Sequence, residues 1–114
     1  MRTRSRTPTE RELEILKIIW QAEPATVRDV YETLRRRRSI ACTTCMTIMN
    51  ILREKGYLKR RIEKRAFVYQ TTRPRGEVIK RMVRVFVDHV FNGSFEPLLV
   101  YLLEDWHFSP KAER

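Results

Sequence analysis

Glycine is scarce in this chain, with three among 114 residues, and Gly56, Gly76 and Gly93 stand well apart. A loop that cradles phosphate on backbone N–H groups needs clustered glycines ahead of a helix, so nucleotide binding of that kind is excluded. Two cysteines are too few for a disulfide framework. No stretch approaches the ~20 apolar residues of a membrane span. The basic opening "MRTRSR" runs into the polar "TPTERELEILK", which lacks the apolar core of an export signal. Together these absences predict a reducing, cytoplasmic setting without membrane insertion. Enzyme chemistry finds no foothold either: there is no HExxH, and no nucleophile has an evident His and acid partner. No catalytic residue, cofactor or metal is expected.

Acidic residues are also in short supply, 14 against 24 Lys and Arg, for a net charge of +10. The imbalance is local. From Arg35 to Arg84 there are 16 basic and three acidic residues, whereas residues 85–110 contain no Lys or Arg and carry Asp88, Glu96, Glu104 and Asp105. A cationic body thus precedes a mildly acidic, apolar end, and the body calls for a polyanionic partner. Nucleic acid fits better than acidic phospholipid, because the cations are spread over several elements instead of one amphipathic stripe.

The chain is long enough for one compact domain, or a small domain with an extension. Thr7-Pro8-Thr9-Glu10 reads as a cap, a first-turn proline and a capping-box glutamate. The helix it opens carries Leu13, Leu16, Ile19 and Trp20 on one stripe, with Ile15 on its flank, and Pro24 ends it. Thr26, with Asp29 three residues on, caps a second helix whose inner side is Val27, Val30, Tyr31 and Leu34. A third helix is predicted from Cys42 to a left-handed stop at Gly56. Leu58, Arg60 and Ile62 then alternate with Lys59 and Arg61, and "AFVYQ" follows across "EKR", so the period changes to that of a hairpin with a cationic tip. The expected fold is mainly α with a small β-hairpin wing. It is a winged helix-turn-helix over residues 1–72, with a basic N-terminal arm, and a helical dimerisation region over 73–114.

At about 100° per residue, Cys45, Ile48, Met49 and Leu52 share the inner face of the third helix. Thr43, Thr47, Asn50 and Glu54 point the opposite way, with Met46 and Arg53 at the margin and Thr44 to the side. Hydroxyls and an amide suit base edges in a major groove, and such a face would ordinarily carry Lys and Glu if it were merely solvated. The candidate DNA-contacting set is therefore Thr43, Thr44, Met46, Thr47, Asn50 and Arg53 on the helix with Arg60, Arg61, Lys64 and Arg65 on the wing. These wing cations, with Arg2, Arg4 and Arg6 of the arm, are candidates for neutralising flanking phosphates or entering a minor groove. The Arg35–Arg38 run lies just before the reading helix and is evenly balanced between DNA contact and solvent.

Cys42 and Cys45 have the spacing of a redox dithiol. Two thiolates supply only half a zinc site, however, and Cys45 on the inner face reads as packing. In the apolar end, Val83, Phe86, Val90, Leu98, Leu99, Leu102 and Trp106 recur at helical spacing over an arc wider than one small neighbour needs. A second copy of the chain is the expected cover.

The segments "ELEILKIIW", "PATVRDVYETL", "IACTTCMTIMNILREKGYL", "RAFVY" and "FNGS", in this order and spacing, resemble the BlaI/MecI-type penicillinase repressors from about Thr9 to Glu104. The resemblance implies a dimeric winged-helix transcriptional repressor on a palindromic double-stranded DNA operator. It also implies an inducing route through a membrane-embedded sensor protease system that leads to cleavage of the repressor. Tyr101-Leu102 stands at the place of the Asn-Phe bond cut in antibiotic-responsive members. The chain departs from the family pattern at Cys42 and Cys45, at Ile51, at Lys64 in place of a wing-tip glycine, and in lacking the Cys-x-Cys tail of copper-responsive members. Two other readings remain open: a basic architectural nucleic-acid-binding winged-helix protein, and a thiol-redox-responsive regulator using Cys42 and Cys45.

Overall fold

The structure, a computed structural model, describes residues 7–105. Its elements run α1 (Glu10–Gln21), α2 (Val27–Leu34), α3 (Cys42–Glu54), β1 (Leu58–Glu63), β2 (Ala66–Thr71), α4 (Arg75–Val90) and α5 (Glu96–Asp105). Three helices followed by an antiparallel hairpin make the winged helix-turn-helix that the periodicity predicts. By compactness the chain divides into two units, one through Val78 and one from Ile79 onward. The arm residues Arg2, Arg4 and Arg6, together with Trp106, lie outside the described residues.

The first unit is built around side chains contributed by every one of its elements. Ile15, Leu16 and Ile19 of α1, Val30 and Leu34 of α2, and Cys45, Met49 and Leu52 of α3 are completely buried, joined by Leu58, Tyr69 and Val78. The buried face of α1 is wider than the predicted stripe, because α2, α3 and β2 all pack on it. Ile15 and Ile18 go inside with Leu16 and Ile19, and Leu13 and Trp20 are only half-buried. The Trp20 indole N–H donates to the Arg73 carbonyl at 3.1 Å.

The cap of α1 is shifted by two residues from the predicted one. Thr9, not Thr7, is the N-cap: its Oγ1 accepts from the Glu12 N–H at 3.2 Å, and Glu12 Oε1 accepts from the Thr9 N–H at 3.0 Å. Pro8 precedes the helix. Either threonine has a glutamate three residues on, so the local signal is degenerate, but only this register brings Glu12 to Lys55 at the end of α3. The Lys55 Nζ donates to Glu12 Oε1 at 2.8 Å and to the Thr7 carbonyl at 3.1 Å, and both charged side chains are more than nine-tenths buried. The Thr26–Asp29 box of α2 forms as expected, at 3.0 and 2.9 Å.

Gly56 ends α3 at φ 91°. The Tyr57 N–H bonds to the Leu52 carbonyl at 2.9 Å and the Gly56 N–H to that of Arg53 at 3.0 Å, the paired closure that a left-handed residue permits. The hairpin then pairs Leu58 with Thr71 through Glu63 with Ala66. Glu63 thus belongs to β1, and the connection is the two residues Lys64-Arg65 rather than the three of "EKR". Both have positive φ, 49° and 70°, as a two-residue turn matched to strand twist requires. On its other edge β2 is held by Ala25, which exchanges two backbone bonds with Tyr69 at 3.0 and 2.8 Å.

In the second unit Asn92 and Gly93, at φ 54° and 88°, turn the chain from α4 into α5. Phe91 packs edge-on against Phe86, with ring centroids 5.8 Å apart, and against Tyr101 at 6.0 Å. Leu98 and Leu102 are half-buried here, while Val83, Phe86, Val90 and Leu99 remain exposed along with Phe95, Val100, Tyr101 and Leu103. Among the described residues no helix is long and apolar enough to cross a membrane.

Candidate nucleic-acid interface

The helix α3 has two chemically distinct sides. Inside are the fully buried Cys45, Met49 and Leu52; outside, Thr43, Thr44, Met46, Thr47 and Arg53 are exposed. Its N-cap is Ala41, which has no side-chain oxygen to occupy the first-turn N–H groups. That end of the helix, with Thr43 and Thr44 beside it, is electrostatically suited to a phosphate. Thr47 turns its hydroxyl back to the Thr43 carbonyl at 3.0 Å, which leaves its methyl and an oxygen lone pair outward.

Asn50 departs from the outward orientation that the helical wheel predicts. It is half-buried, and its Oδ1 accepts from Arg60 Nη1 and from the Tyr69 hydroxyl, both at 3.2 Å. Arg60 Nη1 also reaches the Tyr69 hydroxyl at 3.3 Å, and its guanidinium lies 3.8 Å above the Phe67 ring. The carboxamide oxygen is thus committed to the wing, and the Nδ2 group has no hydrogen-bond partner among the described residues. One network joins α3, β1 and β2, so α3 and the wing share a fixed relation.

The wing cations divide into engaged and open ones. Arg61 is taken up within the hairpin by Glu63, at 2.7 Å, and Gln70, at 2.9 Å. Lys64 and Arg65 at the turn, like Arg53 on α3, are exposed and meet no carboxylate among the described residues. Of the four consecutive arginines, Arg35 pairs with Glu32 at 3.1 Å and Arg38 with Glu14 at 3.2 Å, which ties the two ends of the run to α2 and α1. The hydrogen bond and charge of Glu32 raise the Arg35 guanidinium above its ordinary pKa, so it stays a fixed cation. Arg36 and Arg37 stay exposed.

Cys45 is a free, fully buried thiol, and burial pushes its pKa up, with a smaller contribution from Cys42 alongside. Thiolate chemistry is correspondingly suppressed at that sulfur. No group of three or more His, Cys, Asp or Glu side chains among the described residues is placed to hold a metal ion.

Sequence reasoning missed Phe67 on this surface and the buried Tyr69 that braces Asn50 and Arg60 beneath it. The signal was present in the alternation: once a two-residue turn pairs Ile62 with Phe67 and Arg60 with Tyr69, those four side chains fall on one side of the hairpin.

Comparison with known proteins places the chain in a family. A family model described as penicillinase repressor matches residues 8–114. The transcriptional regulator BlaI of Mycobacterium tuberculosis (strain ATCC 25618 / H37Rv) is 33% identical over 95 residues, covering 82% of this chain and 69% of that protein. The methicillin resistance regulatory protein MecI of Mammaliicoccus sciuri is 24% identical over 93 residues, covering 82% and 76%. Among solved structures, Bacillus licheniformis BlaI, in monomeric form and in complex with the blaP half-operator, aligns with a TM-score of 0.53 and 28% identity over 60% of this chain and 84% of that one. The match through nearly all of the chain, over the same winged fold, makes this protein a member of the penicillinase repressor family.

Proposed function

We propose that this chain is a homodimeric, sequence-specific transcriptional repressor. In this reading α3 enters the major groove of an operator half-site, and Lys64 and Arg65 neutralise phosphates alongside. The observation that carries it is the outer side of α3: exposed threonines, an amide whose oxygen alone is engaged among the described residues, and exposed cations at the helix edge and wing turn that meet no carboxylate among them. That the relative BlaI was solved in complex with a half-operator supports DNA as the partner. Two such helices, joined through the apolar second unit, match a palindromic site. Release follows the family's route, a sensor protease cutting within α5, where Tyr101 is exposed.

A nuclease footprint over the region upstream of the chain's own operon is the direct test. A protected palindrome is expected; equal affinity for random DNA would favour an architectural role. On the protected site, Thr43→Ala and Thr47→Ala should each cost ~1–3 kcal/mol and much less on random DNA, whereas Lys64→Ala should weaken both and flatten the salt dependence. Asn50→Asp is the sharper variant. It keeps the oxygen that Arg60 and Tyr69 bind and deletes the amide donor; the added negative charge lowers affinity for all DNA, and the specific site should lose more than random DNA does. Similar losses on both kinds of DNA for the α3 variants would remove that helix from the readout.

A further inference from the structure

Phosphate neutralisation leaves one part of the wing unused. Ile62 and Phe67 stand opposite one another across the hairpin, and both are exposed, at 67% and 41%. Strand alternation puts Ile62 on the side of Arg60, and Phe67 on the side of Tyr69. Arg60 and Tyr69 are the residues bonded to Asn50 of α3. The apolar pair therefore continues the α3-facing side of the wing outward, past the helix, to the tip.

Its surroundings are cationic. The Arg60 guanidinium lies over the Phe67 ring, and beyond the Glu63–Ala66 pair, which alternation turns to the other side of the hairpin, the tip carries the open Lys64 and Arg65. A merely solvated wing would carry polar side chains at these two positions. An apolar centre in a frame of positive charge disfavours a second copy of the same patch, which would bring like charges together. It suits a surface with apolar walls between rows of anions. The minor groove of a duplex is such a surface: deoxyribose lines its sides and phosphates its rims.

We propose that Ile62 and Phe67 form an apolar wedge that enters the DNA minor groove beside the bases read by α3. The proposal rests on the placement of α3 given above and adds a preference of its own. The guanine 2-amino group projects into the minor groove, and an apolar side chain set against it strands that donor. The wedge therefore favours flanks without guanine at its point of entry.

Short alternating duplexes of deoxyinosine-deoxycytidine and deoxyguanosine-deoxycytidine separate the two ideas, because they present the same major-groove edge and differ in the minor groove by that amino group alone. By fluorescence anisotropy at low salt, the full chain should bind the inosine duplex roughly fivefold more tightly. Ile62→Thr with Phe67→Thr should bring the ratio close to one, the threonines preserving β-propensity, and circular dichroism should report an intact fold. Ile62→Thr alone, at the more exposed position, should lower the ratio in the same direction and serves if the double variant does not fold. A ratio near one for the unmodified chain, or a ratio that survives in a folded double variant, overturns the wedge and leaves DNA binding standing. Failure to bind either duplex beside an intact operator footprint overturns the wedge as well, whereas the absence of any footprint overturns the function proposed above. Binding to anionic lipid vesicles that depends on Ile62 and Phe67, without discrimination between the duplexes, would assign the patch to a membrane surface instead.

Discussion

Lys55→Ala should destabilise the first unit by about 3–5 kcal/mol, a large part of what a small domain has. The reason is the carboxylate it leaves behind. Glu12 is buried at the start of α1, with Lys55 Nζ 2.8 Å away as its charged partner. Removing the ammonium leaves an anion out of water with, among the described residues, the Thr9 N–H as the remaining partner of its side chain. Removing both charges is different. Glu12→Leu with Lys55→Met fills the same space without burying an ion, and it should recover most of the loss despite sacrificing half of the Thr9 capping box. Urea unfolding of the three proteins measures this directly. A Lys55→Ala penalty below about 1 kcal/mol would mean that water reaches Glu12. Operator binding should fall together with stability, because Lys55 closes the C-terminal end of α3 onto α1.

Leu99→Asp with Leu102→Asp should yield a monomer whose operator affinity has dropped by about 10²–10⁴-fold. One reading helix covers only a few base pairs; joining two makes the second contact nearly intramolecular. The second unit leaves Val83, Phe86, Val90 and Leu99 in water in the single chain. Covering such a side chain is worth roughly 1.5–3 kcal/mol each, and the segment has no Lys or Arg from Val85 to Pro110 to oppose the approach of another copy. Trp106 belongs to the same proposed clasp by sequence and lies outside the described residues. Sedimentation equilibrium beside the unmodified chain decides the matter. A monomeric unmodified chain, or a charged variant that binds its palindrome at full strength, removes dimerisation from the mechanism.

The helices and the wing were legible because their signals are periodic and local: the Thr26–Asp29 box, the Gly56 stop, and the change from helical spacing to alternation after Tyr57. What was not legible depended on partners far along the chain. Thr7 and Thr9 offer equally good caps on paper, and Lys55, more than forty residues away, selects between them. Asn50 sits on the polar side of its helical wheel, yet Arg60 and Tyr69 draw its oxygen inward once the hairpin folds back. The arginine run read as a block of charge; Glu14 and Glu32 take its two ends and leave Arg36 and Arg37 open. The wing's apolar pair was visible as two β-formers and acquired meaning only from the register that sets them face to face.

The turn at the wing tip bears on how this protein would respond to improvement. Lys64 and Arg65 both adopt left-handed backbone angles, which for residues with side chains cost about 1–2 kcal/mol each, and Asn-Gly would adopt them with much less strain. Replacing the pair by Asn-Gly should raise the melting temperature and, by stripping two open cations, lower affinity for DNA. Heat resistance and repression therefore pull on these two positions in opposite directions. A laboratory selection for thermal survival alone would discard the tip's charge first, and a consensus drawn from favourable hairpin turns would make the same error.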